Sequence, residues 1–223
     1  MSERSERSDE HRVWRVERHR GSAAAFHARL MPADGEAERV MRILEVDRPA
    51  LVLGSTQPES DVDHDALAAA GVELVRRRSG GGAVLLEPET AVWVDVDLPA
   101  DDPLWSADVG ASFGWLGDAW VAALGDGSSH RGPLVTTPWS RTVCFAGLGP
   151  GEVTVGGRKV VGLAQRRTRA AARFQCAALR HWDAEALVAL LAVPDRAAAA
   201  ADLADVAAGV AGDPAGALLA VLP

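Results

Sequence analysis

The chain has 223 residues, 48% hydrophobic and 24% charged, with a formal net charge of -8 at pH 7. That length supports one sizeable core, and the acidic balance argues against general nucleic-acid binding, which needs a positive surface to displace counterions from phosphates. Two cysteines make no disulfide framework. No N-terminal apolar stretch resembles a signal peptide and no long uncharged run could span a bilayer, so the expected setting is the cytoplasm, away from membrane and nucleic acid.

Residues 1–12 are polar and charged and carry a tandem Ser-Glu-Arg; too little apolar surface is available there to offset ordering entropy, which predicts a disordered tail. Residues 13–223 are then expected to form one domain. Residues 22–30 read as a helix, 50–54 as a short buried strand ending at a glycine, 65–70 as a helix and 72–77 as a strand. Residues 91–98 alternate, with Val92, Val94, Val96 and Leu98 on one face and Trp93, Asp95 and Asp97 on the other. Residues 109–124 read as a core helix burying Phe113, Trp120, Val121 and Leu124.

Next comes a β-hairpin. Val153-Thr154-Val155 and Lys159-Val160-Val161 flank Gly156-Gly157, the residue pair that supplies positive φ at both turn positions. A regular register sets Val155 opposite Arg158 and Val153 opposite Val160. It puts Val153, Val155 and Val160 on one face, with Thr154, Lys159, Val161 and Leu163 on the other. Lys159 is therefore expected in solvent or over a pocket. A third strand over 173–179 leads to helices at 183–191 and beyond Asp195, and the alanine-rich stretch 197–222 reads as packing material. Strands, hairpins and few helices indicate an α/β or α+β fold, a mixed β-sheet flanked by helices, too irregular for a doubly wound nucleotide fold.

Two features carry chemistry. Arg76 to Arg78 form one basic cluster, and Arg158, Lys159, Arg166, Arg167, Arg169 and Arg173 another. Each is either a solvated face or a site for an anionic ligand or acidic partner. Between strands lies Ser79-Gly80-Gly81-Gly82. Three glycines let a backbone approach a ligand closely, and successive N–H groups can form an anion-binding nest; a plain flexible hairpin loop is the other reading. It is neither a Walker loop nor a dinucleotide fingerprint, because no Gly-Lys-Ser/Thr and no helix follow.

Arg76-Arg77-Arg78-Ser79-Gly80-Gly81-Gly82-Ala83-Val84 resembles the Arg-Arg-x-Ser-Gly-Gly-Gly-Ala-Val loop of the lipoate–protein ligase A family. Gly157-Arg158-Lys159-Val160-Val161-Gly162-Leu163-Ala164-Gln165 is similar to that family's lysine motif, and Leu51-Val52-Leu53-Gly54-Ser55-Thr56-Gln57 to its early Gly-x-x-Gln strand. All three stand in the family's order. The resemblance implies the catalytic fold of biotin and lipoate ligases and octanoyltransferases. Carried over, Arg77, Ser79, Gly80, Gly81, Gly82, Ala83, Val84 and Leu85 would bind the acyl group or acyl-adenylate. Lys159 would polarise the acyl carbonyl, as a preorganised cation aimed at developing oxyanion charge does.

Within this family, one transferase branch passes through a cysteine thioester at a Cys-Phe pair about fifteen residues before the lysine, and Cys144-Phe145 matches it. A cysteine suits thioester exchange, and Lys159 or an arginine could supply the positive field its thiolate needs. The plain reading is a small buried hydrophobe. Cys176 replaces part of a His-Gly pair and reads as structural; the branch with a Pro-Cys-Gly cysteine is set aside because Val193-Pro194-Asp195 stands there.

The expected function is octanoyl or lipoyl transfer to a lysine of a lipoyl domain or glycine-cleavage H protein. The donor is acyl carrier protein, with no tightly bound cofactor, or free lipoate or octanoate with ATP and Mg in a ligase that needs an accessory domain. Leu85-Leu86-Glu87, Leu163 and Cys176 depart from the family pattern, Leu163 being expected to intrude on the acyl tunnel beside Lys159. A non-enzymatic acyl or carrier binder therefore stays open.

Overall fold

The computed structural model describes residues 13–33 and 35–223; the tail expected over residues 1–12 lies outside them. Ten strands form two sheets. The larger uses β1 (Arg15–Gly21), β2 (Val40–Val46), β6 (Ala91–Pro99), β7 (Ser128–Ser129), β8 (Val153–Val155), β9 (Arg158–Arg167) and β10 (Ala171–Leu179), in the order β1-β2-β6-β10-β9-β8-β7. The smaller uses β3 (Ala50–Leu53), β4 (Glu73–Arg76) and β5 (Val84–Leu86), in the order β4-β3-β5. Both are mixed: β1 runs parallel to β2 and β3 to β4, and the other pairs are antiparallel.

Six helices flank the sheets: α1 (Ala23–Ala28), α2 (His64–Ala70), α3 (Gly114–Leu124), α4 (Ala184–Ala189), α5 (Arg196–Leu203) and α6 (Pro214–Val221). Five begin at a side-chain cap, where Ser22, Asp63, Asp183, Asp195 and Asp213 each accept a backbone N–H three residues on and satisfy a donor the helix cannot. The helix expected from residue 109 starts at Gly114 instead, after a 3-10 turn over Ala111–Phe113. Among the described residues no helix is long and apolar enough to cross a membrane.

The alternation in β6 sorts the molecule into layers. Val92, Val94, Val96 and Leu98 pack with Phe174, Cys176 and Ala178 of β10 against Leu116 and Trp120 of α3 and Leu218 of α6. Burying each such aliphatic side chain contributes roughly 1.5–3 kcal/mol before entropy is counted. Across the large sheet, Leu44, Trp93 and Leu179 meet Val52, Val84 and Leu86 of the small sheet, with Phe26 of α1. The far face of the small sheet, Leu51 and Leu53, packs against Leu187, Val188 and Leu203. The small sheet is thus buried on both faces.

Asp95 and Asp97 lie on the sheet face opposite the valines, as the alternation requires, and both are buried. Asp97 accepts from Arg42 Nη1 at 2.6 Å and from Arg173 Nε and Nη2 at 2.7 and 2.9 Å, and Arg42 Nε reaches Glu17 at 2.7 Å. Asp95 is 0% exposed; Oδ1 accepts from Trp93 Nε1 at 2.8 Å and Oδ2 has no hydrogen-bond partner. Burial pushes its carboxyl up to about 6, against the pull of Arg173.

The hairpin departs from the expected register. Val155 pairs with Arg158 and Thr154 with Lys159, but Val153 pairs with Val161, so one extra residue of β9 is accommodated next to Lys159. Such a bulge breaks the period-two alternation. As a result Lys159 does not share a face with Val161 and Leu163. Leu163 pairs with Cys176 and packs against the α3 core, while Gly162 and Ala164 pair with Ala177 and Gln175 on the face of Trp93 and Asp95. The backbone of Lys159 is also tied to the C-terminal segment: its N–H donates to Val206 O, and Ala208 N–H donates to Lys159 O, both at 3.0 Å.

Candidate active site

Between the two sheets lies a cavity of about 280 Å³. Gly162, Ala164, Ala177 and Trp93 on the large sheet leave room above them, and Val52, Val84 and Leu86 of the small sheet face them. The rest of the lining includes the loop Ser79-Gly80-Gly81, Cys144 at the start of the 3-10 turn Cys144–Ala146, and the pair Glu152 and Lys159.

The glycine loop holds its shape for steric reasons. Gly81 adopts φ +96°, open to glycine, and a Cβ on Gly82 would collide with the backbone of Val143. That close approach lets Ala83 N–H donate to Thr142 O at 2.8 Å and Cys144 N–H donate to Ala83 O at 2.9 Å, so the loop is stitched to the turn carrying the cysteine. Gln57, at the end of the early motif, adds a second stitch by donating to Thr142 O at 3.1 Å. The N–H groups of Gly80, Gly81 and Gly82 make no hydrogen bond among the described residues, and Ser79 Oγ is buried without a partner.

Of the basic cluster, each arginine has a different task. Arg76 donates to the carbonyls of Gly54 and Gln57. Arg77 is buried behind the loop: Nη1 donates to Val52 O at 3.2 Å, and Nη2 to Gly80 O and Gly82 O at 2.8 Å each, with Cys144 Sγ 3.8 Å away. Arg78 is exposed, with no hydrogen bond or ion pair among the described residues.

Lys159 reaches the cavity because of the bulge, and it is only 3% exposed. Its ammonium donates to Cys144 O and Gly147 O at 3.0 Å each and pairs with Glu152 Oε2 at 2.7 Å. Three protons meet three acceptors, so in this arrangement none is left for a substrate carbonyl. Glu152 is itself held by the N–H groups of Gly149, at 2.6 Å, and Leu163, at 3.1 Å.

The cavity therefore gathers Arg77, Ser79, Gly80, Gly81, Val84, Cys144 and Lys159, all expected at the site. Gly82, Ala83 and Leu85 do not line it. Gly82 and Ala83 face the Cys144 turn, and Leu85 packs on the far side of the small sheet. Cys176 has its side chain in the α3 core, where burial pushes its thiol up to about 12. Sequence reading missed Glu152, His27 and Gln175. Glu152 follows a Gly-Pro-Gly turn and His27 sits among alanines, and neither pattern signals a site.

A cysteine and a lysine thus stand beside a largely apolar cavity between two mixed sheets, an arrangement that would suit a domain handling acyl groups. The chain belongs to the lipoyl protein ligase A/B catalytic domain family, whose model matches residues 22–212. It is 31% identical over 198 residues to the octanoyltransferase LipM of Kyrpidia tusciae, covering 82% of this chain and 71% of that protein. To the octanoyltransferase LipM of Moorella thermoacetica it is 32% identical over 142 residues, 60% of this chain and half the relative's length. The fold matches a bi-partite lipoate protein ligase from Thermoplasma acidophilum at TM-score 0.68 and 21% identity, covering 93% of this chain and 81% of that one.

Proposed function

We propose that this chain is an octanoyltransferase of protein lipoylation that works through a thioester on Cys144. The observation that carries the reading is Cys144 at the cavity wall, with the Arg77 guanidinium 3.8 Å from its sulfur and Lys159 on its carbonyl oxygen. A cysteine sulfur is an intrinsically strong nucleophile, and here it stands at the cavity with a hydrogen-bond donor beside it. The similarity to octanoyltransferases, reported above, supports the same reading.

In the first half-reaction the Cys144 sulfur attacks the thioester carbonyl of octanoyl-acyl carrier protein; a new C–S bond forms and the donor's thiol leaves. In the second, a lysine amine of a lipoyl domain or glycine-cleavage H protein attacks the Cys144 thioester, an amide forms and the cysteine is released with a proton. Neither step needs a nucleotide or a metal. Lys159 fixes the Cys144 and Gly147 carbonyls, and exchanging one of those bonds for the acyl oxygen would let it stabilise the tetrahedral intermediate.

Purified protein mixed with octanoyl-acyl carrier protein is expected to gain one octanoyl group by intact mass, and Cys144→Ala to gain none. Transfer to an apo lipoyl domain at wild-type rate by Cys144→Ala would sink the thioester route. Replacing the donor with lipoate, ATP and Mg tests the ligase alternative in the same assay. Lys159→Ala is expected to lower either reaction at least 100-fold, the scale of losing one oxyanion donor. Binding of carrier or acyl ligand without turnover from either donor would instead mark a non-enzymatic binder.

A further inference from the structure

The cavity opens to solvent at a rim that the thioester chemistry does not use. Leu134 lines the cavity and is still 64% exposed, and Val135 beside it is 47% exposed. The segment carrying them is fixed at both ends. His130 N–H donates to Glu152 O at 2.8 Å and Gly151 N–H to His130 O at 2.7 Å, while Val135 and Leu148 exchange backbone bonds of 2.8 and 3.0 Å. The pair is thus a stiff apolar ridge, continuous with the cavity. It stands at the reacting end: a Cβ on Gly149 would lie 3.9 Å from Leu134 Cδ1, Gly149 N–H donates to Glu152, and Glu152 pairs with the Lys159 that holds Cys144 O.

Two arginines stand at the same opening. Glu152 also accepts from Leu163 N–H, so the ridge lies along the stretch of β9 that leads to Arg166, three residues and about 10 Å on. Arg166 shares a strand face with Ala164, which lines the cavity; across the gap, exposed Arg78 precedes Ser79 of the lining loop. Neither arginine makes a hydrogen bond or ion pair among the described residues. They are close enough to repel: burial, then the Arg78 and Arg173 guanidiniums, lowers the Arg166 pKa, and no carboxylate counters them. Arg173, opposite Arg166, is engaged by Asp97. On a chain of net charge -8, like charges gathered without counter-charges form a local positive field that attracts an anionic partner.

We propose that Arg78 and Arg166, with the Leu134 ridge, form the docking surface for the acyl donor, an acidic carrier protein whose thioester arm enters the cavity beside them. This rests on the acyl-transfer reading and adds to it the residues that face the partner. The arginines attract and orient the carrier, and the ridge meets the apolar chain as it enters. The charges favour the donor over the acceptor as occupant. An acceptor must bring a lysine ammonium past two guanidiniums that repel it, whereas a thioester is uncharged. Attraction of this kind acts mainly on encounter and is screened by salt, over about 10 Å at 0.1 M.

Acylation of Cys144 in the full chain, followed by intact mass, tests this with two donors: octanoyl-acyl carrier protein, and octanoyl-N-acetylcysteamine, which carries the same chain without the carrier. The double variant Arg78→Ser, Arg166→Gln is expected to raise the half-saturating concentration of the carrier-bound donor ten-fold or more at low salt. Its maximal rate, and its acylation by the small thioester, are expected to match wild type. Added salt is expected to weaken use of the carrier by wild type more than by the variant. An equal loss with both donors overturns the proposal, and so does an unchanged response to the carrier-bound donor. A loss confined to transfer from pre-acylated Cys144 to an apo lipoyl domain assigns the surface to the acceptor and overturns it too. An adduct on wild type from the small thioester alone removes the docking surface and leaves the thioester route. An adduct from neither donor removes the acyl-transfer reading itself.

Discussion

The two sides of the cavity are built on opposite terms. Around Cys144 the charged groups are fully engaged: Lys159 has three partners, Glu152 three, and Arg77 holds three carbonyls. On the His27 and Gln175 side the polar groups hold nothing. The first is a frame whose geometry is fixed before any ligand arrives. The second leaves its donors and acceptors open to the cavity.

Breaking the frame has the largest expected effect. Glu152→Ala removes the only carboxylate paired with a 3% exposed Lys159 among the described residues, and leaves a buried charge short of a partner. A stability loss of about 3–5 kcal/mol is expected in urea unfolding, with Glu152→Gln losing clearly less because it keeps hydrogen-bonding oxygen. Equal losses for the two variants would show that the ion pair is not what matters.

Gly82→Ala ranks second. Its methyl meets the Val143 backbone, so the Cys144 turn must move; a loss of about 2–3 kcal/mol is expected, together with slower acylation of Cys144. Gly80→Ala, where no atom lies within 4 Å of the added Cβ, serves as the control and is expected to be near neutral. A Gly82→Ala protein as stable as Gly80→Ala would disprove the stitching.

The smallest effect concerns pH and sharpens the contrast on the other side of the cavity. His27 is lowered from 6.5 to about 4, so the folded state favours the neutral ring; its stability is full above pH 6.5 and is lost as pH falls through 4. Asp95 is raised from 3.8 to about 6 by burial, with Arg173, Arg42 and Asp97 beside it; its stability is full below pH 3.8 and is lost as pH rises through 6. Between pH 4 and 6 the two slopes oppose each other. Relative to wild type, His27→Phe is expected to gain stability on acidification across that window and Asp95→Asn to lose it, each by about 1–2 kcal/mol. Thermal midpoints from pH 4 to 7 that run parallel for all three proteins would refute both assignments.

How much of this could be read from the amino-acid order differs by feature. The alternation of β6, the hairpin at Gly156-Gly157 and the capped helices are local, and local rules found them. The glycine loop, Cys144 and Lys159 were singled out by their likeness to a family's motifs, and Ser79, Gly80, Gly81, Cys144 and Lys159 all line the cavity. The bulge beside Lys159 was not, since nothing in Val153 to Val161 distinguishes a register of Val153 with Val160 from one with Val161; packing decides it, and Leu163, which still borders the cavity, packs against the α3 core instead of sharing a face with Lys159. Arg77, expected at the ligand, lines the cavity and also donates to three backbone carbonyls, a task no local pattern announces. Glu152 and His27 acquire meaning only through contacts with residues distant in the chain.

The two backbone bonds that join Lys159 to Val206 and Ala208 also impose an order in time. A ribosome makes Cys144, the glycine loop and Lys159 long before residue 208 emerges. Until then the strand carrying the lysine lacks its outer partner on that side, and the lysine's backbone is held from one side only. The setting of Lys159 therefore waits on a segment synthesised after all of these groups, and a nascent chain already holding them still lacks the brace that sets the lysine in place.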